Sequence, residues 1–369
     1  MNLKIYAMKL IEQHIKTGSV VLAFLLLASC SESFLEPEPL SFYAPENVLN
    51  NEKGLQAVLD NALQELRFEY SKDKSPLLAF MQYGDYAVMG TTNRTAPWQD
   101  LNNQMTPDGN YPGAYTRIPW YWDESYKIIK DCNTVITRID DAEFSSEEAK
   151  SALLGSALFL RAFHYYSKTM GYGDVPLVLE EVSQPKTDYY STTMESIWEK
   201  MIKDLEYAIQ VVPEANMVQK GQVTNAACKH LLAKYYLMTR RFDDAIQVTT
   251  EVIDGGLHKL CTERFGVDLA LENKDVVWDM FRVDNINAAE NTEGLLTTVD
   301  RYGVDGGTGQ TAHMRNTGPA YGQSGTIKTP DGANGMSDTP GLEIGILENT
   351  AGDRPGCVLP SVVNLVCGN

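Results

Sequence analysis

The stretch LRAFHYYSKTMGYGDVPLV, Leu160 to Val178, sets aromatic side chains at helical spacing and then stops on glycine and proline. Leu160, Phe163, Tyr166 and Met170 recur on one helical face and predict a buried stripe. Gly171 and Gly173 permit the backbone to turn, and Pro176 prevents the helix from resuming. The stretch therefore reads as the corner of a helical scaffold rather than as a ligand cradle. A binding site has to be sought elsewhere in the chain.

Working outward, the same periodicity recurs on both sides. Leu55, Val58, Leu59, Ala62, Leu63 and Leu66 form an amphipathic pattern, as do Trp122, Tyr126, Ile129, Asn133, Ile136 and Ile139. Helical spacing runs again from Ser146. Thr192 to Glu195 reads as a capping box that opens a helix with Ile197, Met201, Leu205, Ala208 and Ile209 inward. Thr224 can cap the next segment, which breaks at Arg240-Arg241 into a helix pair. In that pair Ala233, Tyr236, Phe242 and Ala245 fall at the small and aromatic positions of a tetratricopeptide repeat. The small residues predict close approach, and the aromatics are expected to fill the gap between the helices. Arg240 stands where glycine is usual, and Thr249 replaces an expected aromatic. The fold class is therefore mostly α, built from tetratricopeptide-like helix pairs. Residues 71–119 break the pattern with five prolines and read as a loop insertion. From residue 283 the character changes: eleven of the 28 glycines lie between Tyr302 and Gly345, which predicts irregular loops.

The formal charge of −18 repels phosphate backbones, so nucleic acid is excluded as a partner. Six cysteines without a CxxC pair give no zinc site, and Cys132 and Cys228 are expected as buried free thiols within helices. No nucleophile elbow, HExxH, P-loop or dinucleotide fingerprint is present, so no catalytic residue, metal or cofactor is assigned. Thr329 to Asp338 has oxygen ligands at loop spacing but lacks the twelve-residue calcium pattern. At the start, Lys4, Lys9 and Lys16 precede the apolar run Val20–Ala28, too short to span a bilayer but right for a secretory signal. The run ends Leu27-Ala28-Ser29-Cys30, which resembles a bacterial lipobox and makes residues 1–29 a signal peptide and Cys30 the lipidation site. Buried acyl methylenes contribute about 0.8 kcal/mol each, so two or three chains anchor stably. Ser31 in place of aspartate points to the outer membrane.

Together these pieces resemble the SusD/RagB family of surface lipoproteins from Bacteroidetes. The resemblance is carried in order by FLEPEPLSFYAPE after Cys30, WDESYKIIKDCNTVITRID, the Leu160–Val178 stretch, SIWEKMIKDLEYAIQVVPE, the helix pair from Gly221 and NKDVVWDMFRVDNINAAENTEG. It runs from Cys30 to about Gly294 and implies a helical body over 30–282, with 283–369 as a less regular segment. It implies cell-surface capture of an oligosaccharide or starch-like glycan, and delivery to a SusC-type TonB-dependent transporter. Gly352–Gly356, GDRPG, resembles a family segment that normally has much chain after it, whereas thirteen residues follow here. The resemblance thus implies a C-terminus incomplete relative to the family.

Sugar capture needs aromatic faces for pyranose rings with polar groups beside them. The early loop TTNRTAPWQDLNN supplies Arg94, Trp98 and Asn102, and the resemblance carries the binding role onto these three. Asn93 is a weaker neighbour, and Tyr302 and Tyr321 are further candidates in the glycine-rich segment. Of Trp120, Tyr121 and Trp122 at least one is expected to face the core, and Trp278 is expected to pack in a sheet or the core. His164 and His230 are expected to satisfy local hydrogen bonds. Two other readings stay open on sequence: capture of peptides by the same fold, and a tetratricopeptide scaffold that binds no ligand.

Overall fold

The computed structural model describes residues 48–71, 117–282, 284–298 and 330–332. Cys30, Asn93, Arg94, Trp98, Asn102, Tyr302 and Tyr321 lie outside the described residues, as does most of 71–119. The element order is α1 (Glu52–Ser71), α2 (Arg117–Arg138), α3 (Glu147–Tyr172), β1 (Val175–Pro176), β2 (Ser191–Thr192), α4 (Met194–Val211), α5 (Asn225–Met238), α6 (Phe242–Asp254) and α7 (Val276–Phe281). From α1 to α6 each helix packs on the next in the chain, and β1 pairs antiparallel with β2. The mostly helical class read from the sequence is what the chain adopts.

The predicted faces are the buried ones. Leu55, Leu59, Ala62 and Leu66 of α1 share a buried core with Ile129, Cys132 and Val135 of α2 and Ile139 just after it, while Ile197, Met201, Leu205 and Ala208 of α4 lie fully buried. Helix α3 opens at Ser146, whose Oγ accepts the Ala149 N–H at 3.1 Å, with Glu147 and Glu148 in the first turn. Carboxylates there sit on the positive end of the helix dipole. Gly155 lets α4 approach: a β-carbon there would fall 2.7 and 2.8 Å from methyls of Val211 and Val212. Helix α3 runs to Tyr172 and closes at Gly173, φ 73°, whose N–H bonds Thr169 O at 3.0 Å. Gly171 is therefore inside the helix rather than in the turn. The predicted stripe is buried at Leu160 and Phe163 but not at its C-terminal end, where Met170 is 60% exposed.

At α4 the N-cap is Thr193 rather than the Thr192 of the expected capping box. Thr192 is held in β2, and Asp174 instead accepts the Met194 N–H at 3.0 Å. Thr224 caps α5 as expected, accepting from Ala227 N at 3.2 Å. Between α5 and α6, Arg240 takes φ 60°, with Arg240 N on Leu237 O (3.2 Å) and Arg241 N on Tyr236 O (2.8 Å). This bonding is a Schellman turn, with arginine at the left-handed position that favours glycine. Ala233, Tyr236 and Ala245 are buried between the helices, but Phe242 is 56% exposed. The first residue of α6 projects before the two helices meet, so it fills no gap.

Residues 255–298 are tied by polar contacts instead of helix packing. The Arg264 guanidinium pairs with the buried Asp279 carboxylate and reaches the Leu271, Lys274 and Asp268 carbonyls. Asn285 accepts from Val267 N (3.0 Å) and donates to Phe265 O and Asp279 O. Gly266 is obligatory here: it sits at φ 81°, and a β-carbon would lie 2.1 Å from Asn285 Oδ1. Leu295 and Leu296 join the helical core, where Leu295 O accepts from Thr224 Oγ1 at 2.6 Å. Trp278 belongs to helix α7, not to a sheet, and is 39% exposed. Asp275 caps that short helix and Asp268 takes the indole N–H at 2.8 Å, which holds the ring at the surface.

Candidate functional site

The described residues nearest in sequence to the early loop are those that open α2, and they form an aromatic cluster with the end of α3. Tyr121 is buried and stacks on Tyr172 with centroids 6.5 Å apart, and Trp122 meets Tyr172 edge-on at 5.0 Å. At least one aromatic of this run faces inward, as expected. Lys168 is fully buried among them: its Nζ lies 4.0 Å from the Trp122 and Tyr126 ring centroids and donates to Trp122 O at 2.6 Å. Burial lowers its pKa from the ordinary lysine value to about 7, with Asp123 opposing. The two ring faces and the carbonyl favour the ammonium.

Lys168 is one of three polar side chains that share a buried face of α3, with Arg161 and His164. Arg161 is 2% exposed and joins three elements: Nη1 donates to Asn133 Oδ1 (2.9 Å) and Leu179 O (3.0 Å), and Nη2 to Asp204 Oδ2 (2.6 Å). Lys200 pairs with the second Asp204 oxygen. His164 is fully buried with neither ring nitrogen bonded, and burial lowers its pKa to about 3. It does not make the local hydrogen bond expected of it, because Phe163 lies edge-on beside it and the rest of its surroundings are core.

Side chains of α2 and α3 together, Arg161 among them, hold the segment that leaves β1. Tyr126 OH donates to Pro176 O at 2.8 Å, Asn133 Nδ2 to Val178 O at 2.9 Å, and Arg161 to Leu179 O. Tyr165 OH accepts the Val178 N–H at 2.7 Å, and burial raises its pKa to about 12. Arg138 grips Glu181 through two bonds of 2.6 and 3.0 Å, and Thr137 accepts the Glu181 N–H at 3.0 Å. The segment 176–181 therefore forms a fixed wall. Facing it, residues 182–190 return to β2 and border an open concavity of about 590 Å³ lined by Gln184, Lys186, Asp188, Tyr189 and Tyr190 among others. A smaller concavity of about 300 Å³ lies among α4, α5 and α6, lined by Lys229, Tyr236, Asp244, Gln247 and Glu251. The first concavity offers flat rings with carboxylate, amide and ammonium groups, which suits binding by stacking and hydrogen bonds.

Sequence reasoning missed the buried set Arg161, His164 and Lys168. Its signal was present: polar residues at i, i+3 and i+7 inside an otherwise apolar helix cannot all face water if the opposite face is packed. Among the described residues, no group of three or more His, Cys, Asp or Glu side chains could hold a metal ion, and no helix is long and apolar enough to cross a membrane.

The SusD-like family model described as "Starch-binding associating with outer membrane" matches residues 33–237, more than half of the chain. SusD-like protein P2 of Formosa agariphila is 28% identical over 291 residues, 77% of this chain and 52% of the relative. A SusD-like protein of Bacteroides ovatus is 27% identical over 74% of this chain and 47% of its own length. The chain thus spans about half the length of these relatives. Among solved structures, a SusD-like carbohydrate binding protein from Bacteroides vulgatus superposes with a TM-score of 0.53 at 18% identity, over 68% of this chain and 51% of that one. A laminarin binding SusD-like protein gives a TM-score of 0.53 at 22% identity, over 68% and 52%. These likenesses establish the shared fold. With a family match over residues 33–237 and the helix-packed body described above, the chain belongs to the SusD-like, SusD/RagB family of starch-binding proteins associated with the outer membrane.

Proposed function

We propose that this chain captures oligosaccharides at the cell surface and passes them, chemically unchanged, to a SusC-type TonB-dependent transporter of the outer membrane. The family match carries the reading, since it covers 33–237 under a starch-binding, outer-membrane description. The strongly acidic chain adds to it, because it disfavours anionic partners. Acyl chains on Cys30 hold the protein at the membrane, and Arg94, Trp98 and Asn102 form the capture loop. Trp98 supplies a face for a pyranose ring, while Arg94 and Asn102 bond hydroxyls. Asn93, Tyr302 and Tyr321 are secondary contacts. No nucleophile or general base is required. The test is affinity electrophoresis in gels containing starch or laminarin. Trp98→Ala is expected to lose retardation while keeping its melting temperature. Unchanged retardation in a folded variant contradicts the assignment of the capture loop.

A further inference from the structure

The sequence reads Leu160–Val178 as a corner, yet the loop that leaves this corner has the features of a binding surface. We propose that the β1–β2 loop is a second saccharide contact, with Tyr190 stacking on a pyranose ring while Gln184 and Asp188 bond its hydroxyls. The inference rests on the glycan-capture reading but concerns residues apart from the loop around Trp98.

Three observations carry it. The first is Tyr190 itself, which is 82% exposed and has no ring or cation partner among the described residues. On a concave surface such a ring offers a flat face for an apolar partner such as a pyranose ring. Its neighbour Tyr189 is 40% exposed, and Lys186 Nζ lies 5.3 Å from its ring centroid, so Tyr190 is the freer platform. The second is the concavity of about 590 Å³ that both tyrosines line, within the range of small-molecule sites. The third is its fixed wall. Tyr126, Asn133, Arg161 and Tyr165 hold Pro176 to Leu179, and Arg138 holds Glu181. A wall already held by the body loses little freedom when a ligand arrives, so the ordering cost falls on residues 182–190 alone.

Charge selects the ligand. Glu181 is neutralised by Arg138, which leaves Glu180 and Asp188 against Lys186 around the concavity. The balance is negative, so uronate and sulfated chains are repelled and a neutral glycan is favoured.

The test is titration calorimetry of the full chain in detergent with laminarin and amylopectin as neutral glycans and alginate as a polyanion. Tyr190→Ala, Tyr190→Phe and Trp98→Ala are compared with the wild type. Tyr190→Ala is expected to weaken binding of a neutral glycan about 2- to 10-fold at unchanged melting temperature, the worth of one aromatic contact. Tyr190→Phe keeps the ring and is expected to bind as the wild type does. Unchanged affinity in Tyr190→Ala overturns this site, and if Trp98→Ala is weakened in the same series the capture reading stands. Alginate bound more tightly than both neutral glycans overturns the ligand class. A wild type that binds none of the three overturns the capture reading and this site with it.

Discussion

Removing the Arg161 side chain is the most informative perturbation of the scaffold. Arg161→Met keeps most of the volume but deletes three hydrogen bonds, to Asn133 Oδ1, Leu179 O and Asp204 Oδ2. Two neutral acceptors then lose this donor, at about 1–3 kcal/mol for each that no other group satisfies. Asp204, 7% exposed in its side chain, is left with Lys200 alone. Breaking a buried pair on one side costs about 3–5 kcal/mol. Arg161 Nε has no partner, so its removal offsets part of the loss and places the total near the lower end, about 3 kcal/mol. For a body of this size that lowers the melting temperature by roughly 6–12 °C. Urea denaturation of Arg161→Met, Asp204→Leu and the double variant closes a cycle whose coupling is expected at about 1.5 kcal/mol or more. Amide exchange of Val178 to Glu181 is expected to quicken in Arg161→Met, since the wall loses its central anchor. A loss below about 1 kcal/mol, or additive single changes, would refute the view that this network holds the loop.

Other outcomes follow from the same geometry. Lys168 binds a proton in the unfolded chain up to the ordinary lysine range but in the folded chain only up to about 7. The unfolded state then holds more protons between those values, so stability rises with pH through that window. Melts at pH 7 and 9.5 are expected to show the wild type gaining relative to Lys168→Met, and a flat difference means the ammonium stays charged throughout. His164→Leu removes two unbonded buried nitrogens and is expected to raise stability by about 1 kcal/mol, most visibly at pH 5, where the unfolded chain takes up a proton that the folded site refuses. Arg240→Gly relieves the left-handed strain in the α5–α6 turn and is expected to add about 1 kcal/mol; a loss of stability in denaturant would contradict the Schellman assignment. Gly266→Ala places a methyl on Asn285 and is expected to cost about 3 kcal/mol or more, read as a lower melting temperature.

The helices were legible because their apolar spacing is dense and local. Leu55 to Leu66 and Ile197 to Ala208 need no partner to be recognised, and both bury the predicted side. Ends and turns were less so. Thr192 carried a capping signature, but pairing with Val175 took it into a strand and moved the cap one residue on. Phe242 fits a repeat position in sequence, yet its exposure depends on how α6 meets α5. Trp278 sits in an alternating run that suggests a strand, but the Asp275 cap and the Asp268 contact make a helical turn. The polar face of α3 and the concavity beyond β1 depend on which helices surround Arg161 and Lys168, and that information is not local. The proposed capture residues came from family resemblance, since a loop without periodicity gives no such signal by itself.

The most direct measurement of the central claim is a glycan array probed with the soluble chain that begins after Cys30, run beside a peptide array. The account predicts retention on neutral oligosaccharides and none on peptides. Retention on peptides alone, or on neither array, would contradict it.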